Sequence, residues 1–167
     1  MKAVSQVKVG DAFPKGVVLQ ENNPGESVNM DEFLTKNKKV LIFGVPGAFT
    51  PGCSKTHLPG YVADADKLKA AGIDAIVCVS VNDAFVMASW GEAHNAAGKV
   101  RMLADTTGDL TKKLGVDLDL TAKLCSVRSK RYSLLVENGV VTQVNVEPET
   151  APTGLSCSLS SAFKLPK

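Results

Sequence analysis

The chain has 167 residues, 44% of them hydrophobic and 22% charged, with a formal net charge of +2 at pH 7. Residues 1–167 are therefore read as one compact domain with room for a real core. So small a charge predicts no strong attraction to nucleic acid or to an anionic membrane surface, and no apolar run approaches the ~20 residues that span a bilayer. The opening Met1-Lys2-Ala3-Val4-Ser5 has no signal-peptide core. The four cysteines, Cys53, Cys78, Cys125 and Cys157, form no C-x-x-C pair. With only His57 and His94 to join them they have no metal-ligand spacing, so neither a metal nor a cofactor is expected.

In chain order, Val17-Val18-Leu19 reads as a strand, with turn residues at Glu21 to Gly25. A short helix within Ser27–Leu34 is capped near Asn29. Val40 to Phe43 is nearly all apolar, as a strand buried on both faces should be. A helix over Ser54–Ala71 carries Leu58, Val62, Ala65 and Leu68 as its buried stripe. Pro59 inside it predicts a kink or an irregular first part, and Gly72 ends it. Ala75–Ser80 is the second central strand, which makes Cys78 a core thiol. Asn82 or Asp83 caps a helix to about Ala97, with Phe85, Val86, Trp90 and Ala93 as its apolar side. Val100–Ala104 is a third strand, Asp105–Gly108 a turn and Leu110–Leu114 a short helix. Asp117–Val127 gives mixed signals and is left as a loop with some helix. Tyr132–Val136 and Val140–Val146 flank Asn138-Gly139, a strong hairpin signal. A loop over residues 149–154 and a short helix over Leu155–Phe163 close the chain. Strand–helix–strand crossovers followed by a terminal hairpin argue for an α/β fold: a mixed central sheet with helices on both faces and an N-terminal hairpin extension.

The stretch that invites chemistry is Phe43-Gly44-Val45-Pro46-Gly47-Ala48-Phe49-Thr50-Pro51-Gly52-Cys53, where a buried strand hands over to a helix. Thr50 suits the N-cap and Pro51 the first helical position. Cys53 then falls in the first turn, where backbone N–H groups favour a thiolate. Position alone leaves two readings of Cys53, a nucleophile or a buried core thiol. Arg131 opens a strand after a loop and reads either as a cation in the site or as a solvated charge. Pro46 is placed to keep water off a thiolate. His57, four residues after Cys53, lies on roughly the same helix face and reads as a general base or as a packed side chain. Neither histidine carries a hydrolase context, and no phosphate-binding glycine loop is present.

Pro46-Gly47-Ala48-Phe49-Thr50-Pro51-Gly52-Cys53 resembles the P-G-x-x-T-P-x-C signature of the peroxiredoxins. The run Phe43 to Pro59, Ser80-Val81-Asn82-Asp83-Ala84-Phe85 and Asn145-Val146-Glu147-Pro148 resemble the peroxiredoxin 5 subfamily of animals. The resemblance covers about Val7 to Leu159. It implies a thioredoxin-like fold and a thiol-dependent peroxidase acting on hydrogen peroxide and organic hydroperoxides, with peroxynitrite as a further substrate. Cys53 matches the peroxidatic cysteine and Thr50 the threonine that hydrogen-bonds the peroxide. Arg131 matches the arginine that completes the pocket, and Pro46 the proline that shields it. Cys157 matches the resolving cysteine, which implies an intramolecular disulfide with Cys53 and reduction by thioredoxin. The resemblance also implies a monomer or a weak homodimer. The alternative is a protein thiol-disulfide oxidoreductase or a redox sensor using Cys53. The chain ends Phe163-Lys164-Leu165-Pro166-Lys167, unlike the peroxisomal signal of the mammalian members. The expected location is the cytoplasm, with mitochondria open for a form carrying a presequence.

Overall fold

The computed structural model of the protein describes residues 4–148. Cys157 and the helix expected over Leu155–Phe163 lie outside the described residues.

Seven strands form one mixed sheet: β1 (Val18–Glu21), β2 (Asn23–Asn29), β3 (Lys39–Val45), β4 (Ala75–Ser80), β5 (Arg101–Ala104), β8 (Tyr132–Glu137) and β9 (Val140–Val146). Their order across the sheet is β2-β1-β5-β4-β3-β8-β9. The central β3, β4 and β5 run parallel, and the hairpins β1–β2 and β8–β9 pair antiparallel at the two sides. This is the thioredoxin-like architecture that the resemblance implied, with the N-terminal hairpin expected from the element pattern. In the stretch expected to be a loop with some helix, α5 (Thr121–Leu124) is that helix, and β6 (Asp117–Asp119) and β7 (Val127–Ser129) on either side of it make a separate two-stranded sheet. Strands of three residues are too short to display a period.

Alternating side chains feed two cores. Val40, Ile42, Val77, Val79, Leu134 and Val136 pack on one face of the sheet with Phe33 and Leu34 of α1 (Met30–Lys36) and Leu110 of α4 (Asp109–Lys113). Leu41, Phe43, Val45, Ile76 and Cys78 pack on the other with α2 (Leu58–Ala70) and α3 (Ala84–Ala93). Burial of these apolar faces drives the fold.

Local chemistry sets the boundaries. Asn29 caps α1, accepting from the N–H groups of Asp31 and Glu32. Asp83 caps α3 by accepting from Val86 N–H. Asn138 and Gly139 both take positive φ, 51° and 77°, as a two-residue hairpin turn requires. Two expectations shift. The first hairpin turns at Asn22, and β2 runs on through Pro24 and Gly25, which an edge strand tolerates. The buried face of α3 is Ala84, Met87, Trp90 and Gly91, while Phe85 is 60% exposed. The physical reason is close approach: a Cβ on Gly91 would lie 2.7 Å from Met102 Cγ of β5.

The helix that carries Cys53 starts at Pro51, as expected, but opens with a π-turn over Cys53–His57 before α2 proper. Leu58 N–H donates five residues back, to Cys53 O. Pro59, with no N–H to give, follows this widened turn, which is the irregularity its position predicted. The parallel strands β3 and β4 end beside the start of β8, with Gly44 paired to Tyr132. The loop to Cys53, the loop after β4 and Arg131 thus meet at one end of the sheet, the end where α/β folds place their ligands.

Candidate active site

Cys53 is fully buried, and Arg131 Nη2 approaches its Sγ at 3.5 Å. Two other groups fix the guanidinium. Nη1 lies 2.9 Å from His57 Nδ1, and Nε lies 3.4 Å from the Glu147 carboxylate. The backbone reinforces the second contact, since Glu147 N–H donates to Arg131 O at 2.8 Å. Arg131 therefore presents Nη2 to the sulfur while Nη1 and Nε are engaged elsewhere. The guanidinium is the positive charge that a thiolate requires, and its planar fork suits this three-way division of donors.

His57 is not a base for Cys53. It is 1% exposed, packed against Phe43 and Tyr61. Burial, and then the neighbouring Arg131 charge, push its pKa down to about 3. The neutral ring places its lone pair at Nδ1, facing Arg131, and its proton at Nε2. No acceptor remains for the Cys53 proton. Its i+4 spacing from Cys53 does bring both residues to the same guanidinium.

Thr50 stands two residues before the π-turn. Its backbone C=O accepts the helical bond from Ser54 N–H, but its hydroxyl does not cap the helix. It donates instead to Gly47 O at 2.7 Å. The hydroxyl proton is thereby spent, and the oxygen is left as an acceptor for an incoming O–H. Phe49 before it takes φ 61° and is 55% exposed. A left-handed conformation in a non-glycine residue costs about 1–2 kcal/mol, which the surrounding contacts must offset.

Those contacts were not singled out by the sequence. Asn82 Oδ1 accepts from Ala48 N–H at 3.0 Å and lies 2.6 Å from Ser80 Oγ. Ser80 Oγ is also 3.1 Å from Val45 O. The end of β4 thus clamps both ends of the Pro46–Ala48 turn, and Pro46 itself is half-buried there. Trp90 Nε1 of α3 donates to Ser54 Oγ at 3.0 Å, fixing the turn that holds Cys53. Asn82 was visible only as a helix cap, and Trp90 only as core.

Of the other cysteines, Cys78 is buried on β4, and burial together with Cys53 pushes its thiol well up. It stays protonated and inert. Cys125 is exposed, at the left-handed C-cap of α5 with φ 61°. The arrangement holds a buried sulfur against a fixed cation, three residues along the chain from an acceptor hydroxyl on a clamped loop. It can stabilise a thiolate and receive negative charge on an atom attacked by that sulfur.

The Redoxin family matches residues 8–161. Peroxiredoxin-2D of Arabidopsis thaliana is 44% identical over 146 residues, 86% of this chain and 90% of the relative. Among solved structures, reduced Prx3 of Vibrio vulnificus in complex with hydrogen peroxide superposes with a TM-score of 0.80 at 46% identity, covering 87% of this chain and 91% of that one. Peroxiredoxin 5 of Alvinella pompejana gives 0.78 at 38% identity, covering 86% and 91%. The expected cytoplasmic or mitochondrial location is corrected by two relatives that are chloroplastic proteins. They are Peroxiredoxin-2E of Arabidopsis, 42% identical over 91% of this chain and 67% of its own length, and Peroxiredoxin-2E-2 of rice, 45% identical over 86% and 66%.

Proposed function

The chain belongs to the Redoxin family as a peroxiredoxin-type thiol peroxidase, and we propose that Cys53 is its peroxidatic thiol, served by Thr50, Pro46 and Arg131 and resolved by Cys157. The observation that carries this reading is the Arg131 guanidinium, 3.5 Å from Cys53 Sγ and held there from two other sides.

In the reaction so read, the Cys53 thiolate attacks one oxygen of the peroxide. An S–O bond forms, the O–O bond breaks, and the electron pair leaves on the distal oxygen, which takes a proton and departs as water or an alcohol. Cys53 is oxidised by two electrons to the sulfenic acid. Thr50 Oγ accepts from the peroxide O–H and aligns the O–O bond with the sulfur. Arg131 meets the negative charge that passes from sulfur to the leaving oxygen. Pro46 covers the sulfur and limits access of bulk water.

The Cys157 thiolate then attacks the sulfenic sulfur. An S–S bond forms, the S–O bond breaks, and the oxygen leaves as water. An external dithiol restores both thiols by exchange, and we take thioredoxin as that reductant. Cys53 is fully buried, so on this reading local opening of the Cys53 turn accompanies disulfide formation, exposing the sulfur to its partner. The protein is read as acting as a monomer or a weak homodimer.

Peroxide consumption with thioredoxin and its reductase tests the scheme. Cys53→Ser should abolish turnover. Cys157→Ser should retain one round of peroxide reduction and lose recycling by thioredoxin. Turnover that survives Cys53→Ser would remove the nucleophile assignment, and undiminished recycling in Cys157→Ser would remove the resolving one.

A further inference from the structure

We propose that the pocket behind the active-site loop, between β7 and the turn that follows β5, binds the phosphate group of a small metabolite. The reasoning starts from Arg128. Its side chain is half-buried, and all three of its nitrogens donate to neutral oxygens: Nε to Ser126 Oγ at 2.7 Å, Nη1 to Val81 O at 3.1 Å, and Nη2 to Leu124 O at 3.1 Å. No carboxylate pairs with it among the described residues. A guanidinium partly withdrawn from water, with no counter-charge, still attracts an anion, and it retains N–H groups beyond the three already used.

The pocket beside it has a volume of about 230 Å³. Lys112, Thr107 and Ser126 line it together with Arg128. Lys112 makes no ion pair among the described residues. Ser126 Oγ accepts from Arg128, so its own proton is available to a ligand. Two cations and two hydroxyls from different segments thus converge on one space. That donor set suits a tetrahedral oxyanion with several acceptor oxygens better than a planar carboxylate. One carboxylate, Asp117, lines the same pocket, so the lining remains net positive but bears one opposing charge.

The pocket is separate from the Cys53 site but adjoins its scaffold. Arg128 Nη1 lies 3.3 Å from the position a Cβ on Gly47 would occupy, and Gly47 O is the acceptor that holds the Thr50 hydroxyl. Val81, which Arg128 holds by its carbonyl, precedes the Asn82 that clamps Ala48. A phosphate group on Arg128 would therefore sit against the back of the loop that orders Thr50.

The test is titration of the reduced full-length protein with inorganic phosphate, at fixed pH and at ionic strength balanced with chloride, followed by amide NMR. Acetate and sulfate in parallel separate phosphate from carboxylate and from any dianion. Saturable phosphate binding that shifts the amides of Thr107 and Ser126 is expected, with acetate bound more weakly. Lys112→Gln should weaken binding about three- to tenfold and Asp117→Asn should tighten it by a similar factor, the effect of one unit charge at ~6 Å in a largely aqueous dielectric. Arg131→Met should leave the constant unchanged. The proposal is overturned if phosphate does not saturate, if sulfate or acetate binds better, if the two charge variants do not move the constant in opposite directions, or if Arg131→Met abolishes binding. Binding is read without peroxide, so the result stands apart from the peroxidase assignment.

Discussion

His57 ties the stability of the fold to acid in a way that can be calculated. Its pKa is pushed from 6.5 down to about 3, first by burial and then by the adjacent Arg131 charge. In the unfolded chain it titrates near 6.5. Between these values the unfolded state binds more protons than the folded one, so stability must rise with pH and fall as the solution is acidified. At pH 7 the effect is negligible. At pH 5 the unfolded imidazole is almost wholly protonated while the folded one is neutral, and the difference destabilises the fold by about 2 kcal/mol. For a chain of this size that corresponds to a fall in Tm of about 4–8 °C.

The matching perturbation is His57→Asn. An Asn Oδ1 can occupy the place of Nδ1 and still accept from Arg131 Nη1, so the clamp survives while the titration is removed. Urea unfolding at pH 7 and pH 5 should give the wild type a loss about 2 kcal/mol larger than the variant shows. Carboxylates and His94 are common to both proteins and cancel in the comparison. An equal loss in the two proteins would refute the buried neutral imidazole and the hydrogen-bond assignment built on it. The same reasoning predicts that His57 does not set an acid limb of activity near pH 6.5, because the folded protein leaves it neutral there.

Gly44→Ala should destabilise the fold by about 2–3 kcal/mol, because the new Cβ would lie 2.0 Å from Tyr132 Cε1, on a fully buried ring; calorimetry checks this, and an unchanged Tm would mean that the ring moves aside at no cost. Asn82→Ala removes the acceptor for Ala48 N–H and should speed hydrogen exchange at that amide about tenfold, from the loss of about 1.4 kcal/mol of local stability. Arg131→Met removes a charge 3.5 Å from the Cys53 sulfur. Losing the charge-assisted donor that meets negative charge on the leaving oxygen should cost about 2 kcal/mol or more of transition-state stabilisation, so single-turnover peroxide reduction should slow about thirtyfold or more, and a rate within threefold of wild type would argue against charge stabilisation.

What the chain discloses before folding is local. The apolar Val40–Phe43 run and the Thr50-Pro51 pair locate the strand-to-helix junction, and Pro59 announces the irregular turn found at Cys53–His57. Where a choice depends on a distant neighbour, local pattern fails. Phe85 and Trp90 look alike as apolar residues on one helix, yet Trp90 reaches Ser54 Oγ and is buried while Phe85 is left in solvent. The same limit governs the candidate site. Cys53, Thr50 and Pro46 lie within eight residues of one another and are legible together. The groups that position Arg131 are His57, 74 residues away along the chain, and Glu147, on the far side of the terminal hairpin. Counting four residues from Cys53 finds His57, but it cannot say whether the imidazole faces the thiol as a base or the arginine as an acceptor. That depends on which nitrogen the guanidinium meets and on the burial that keeps the ring neutral, and both exist only once α2, β3 and β8 have packed. The sequence pattern thus supplies the candidate nucleophile, and the tertiary contacts decide which neighbour faces it.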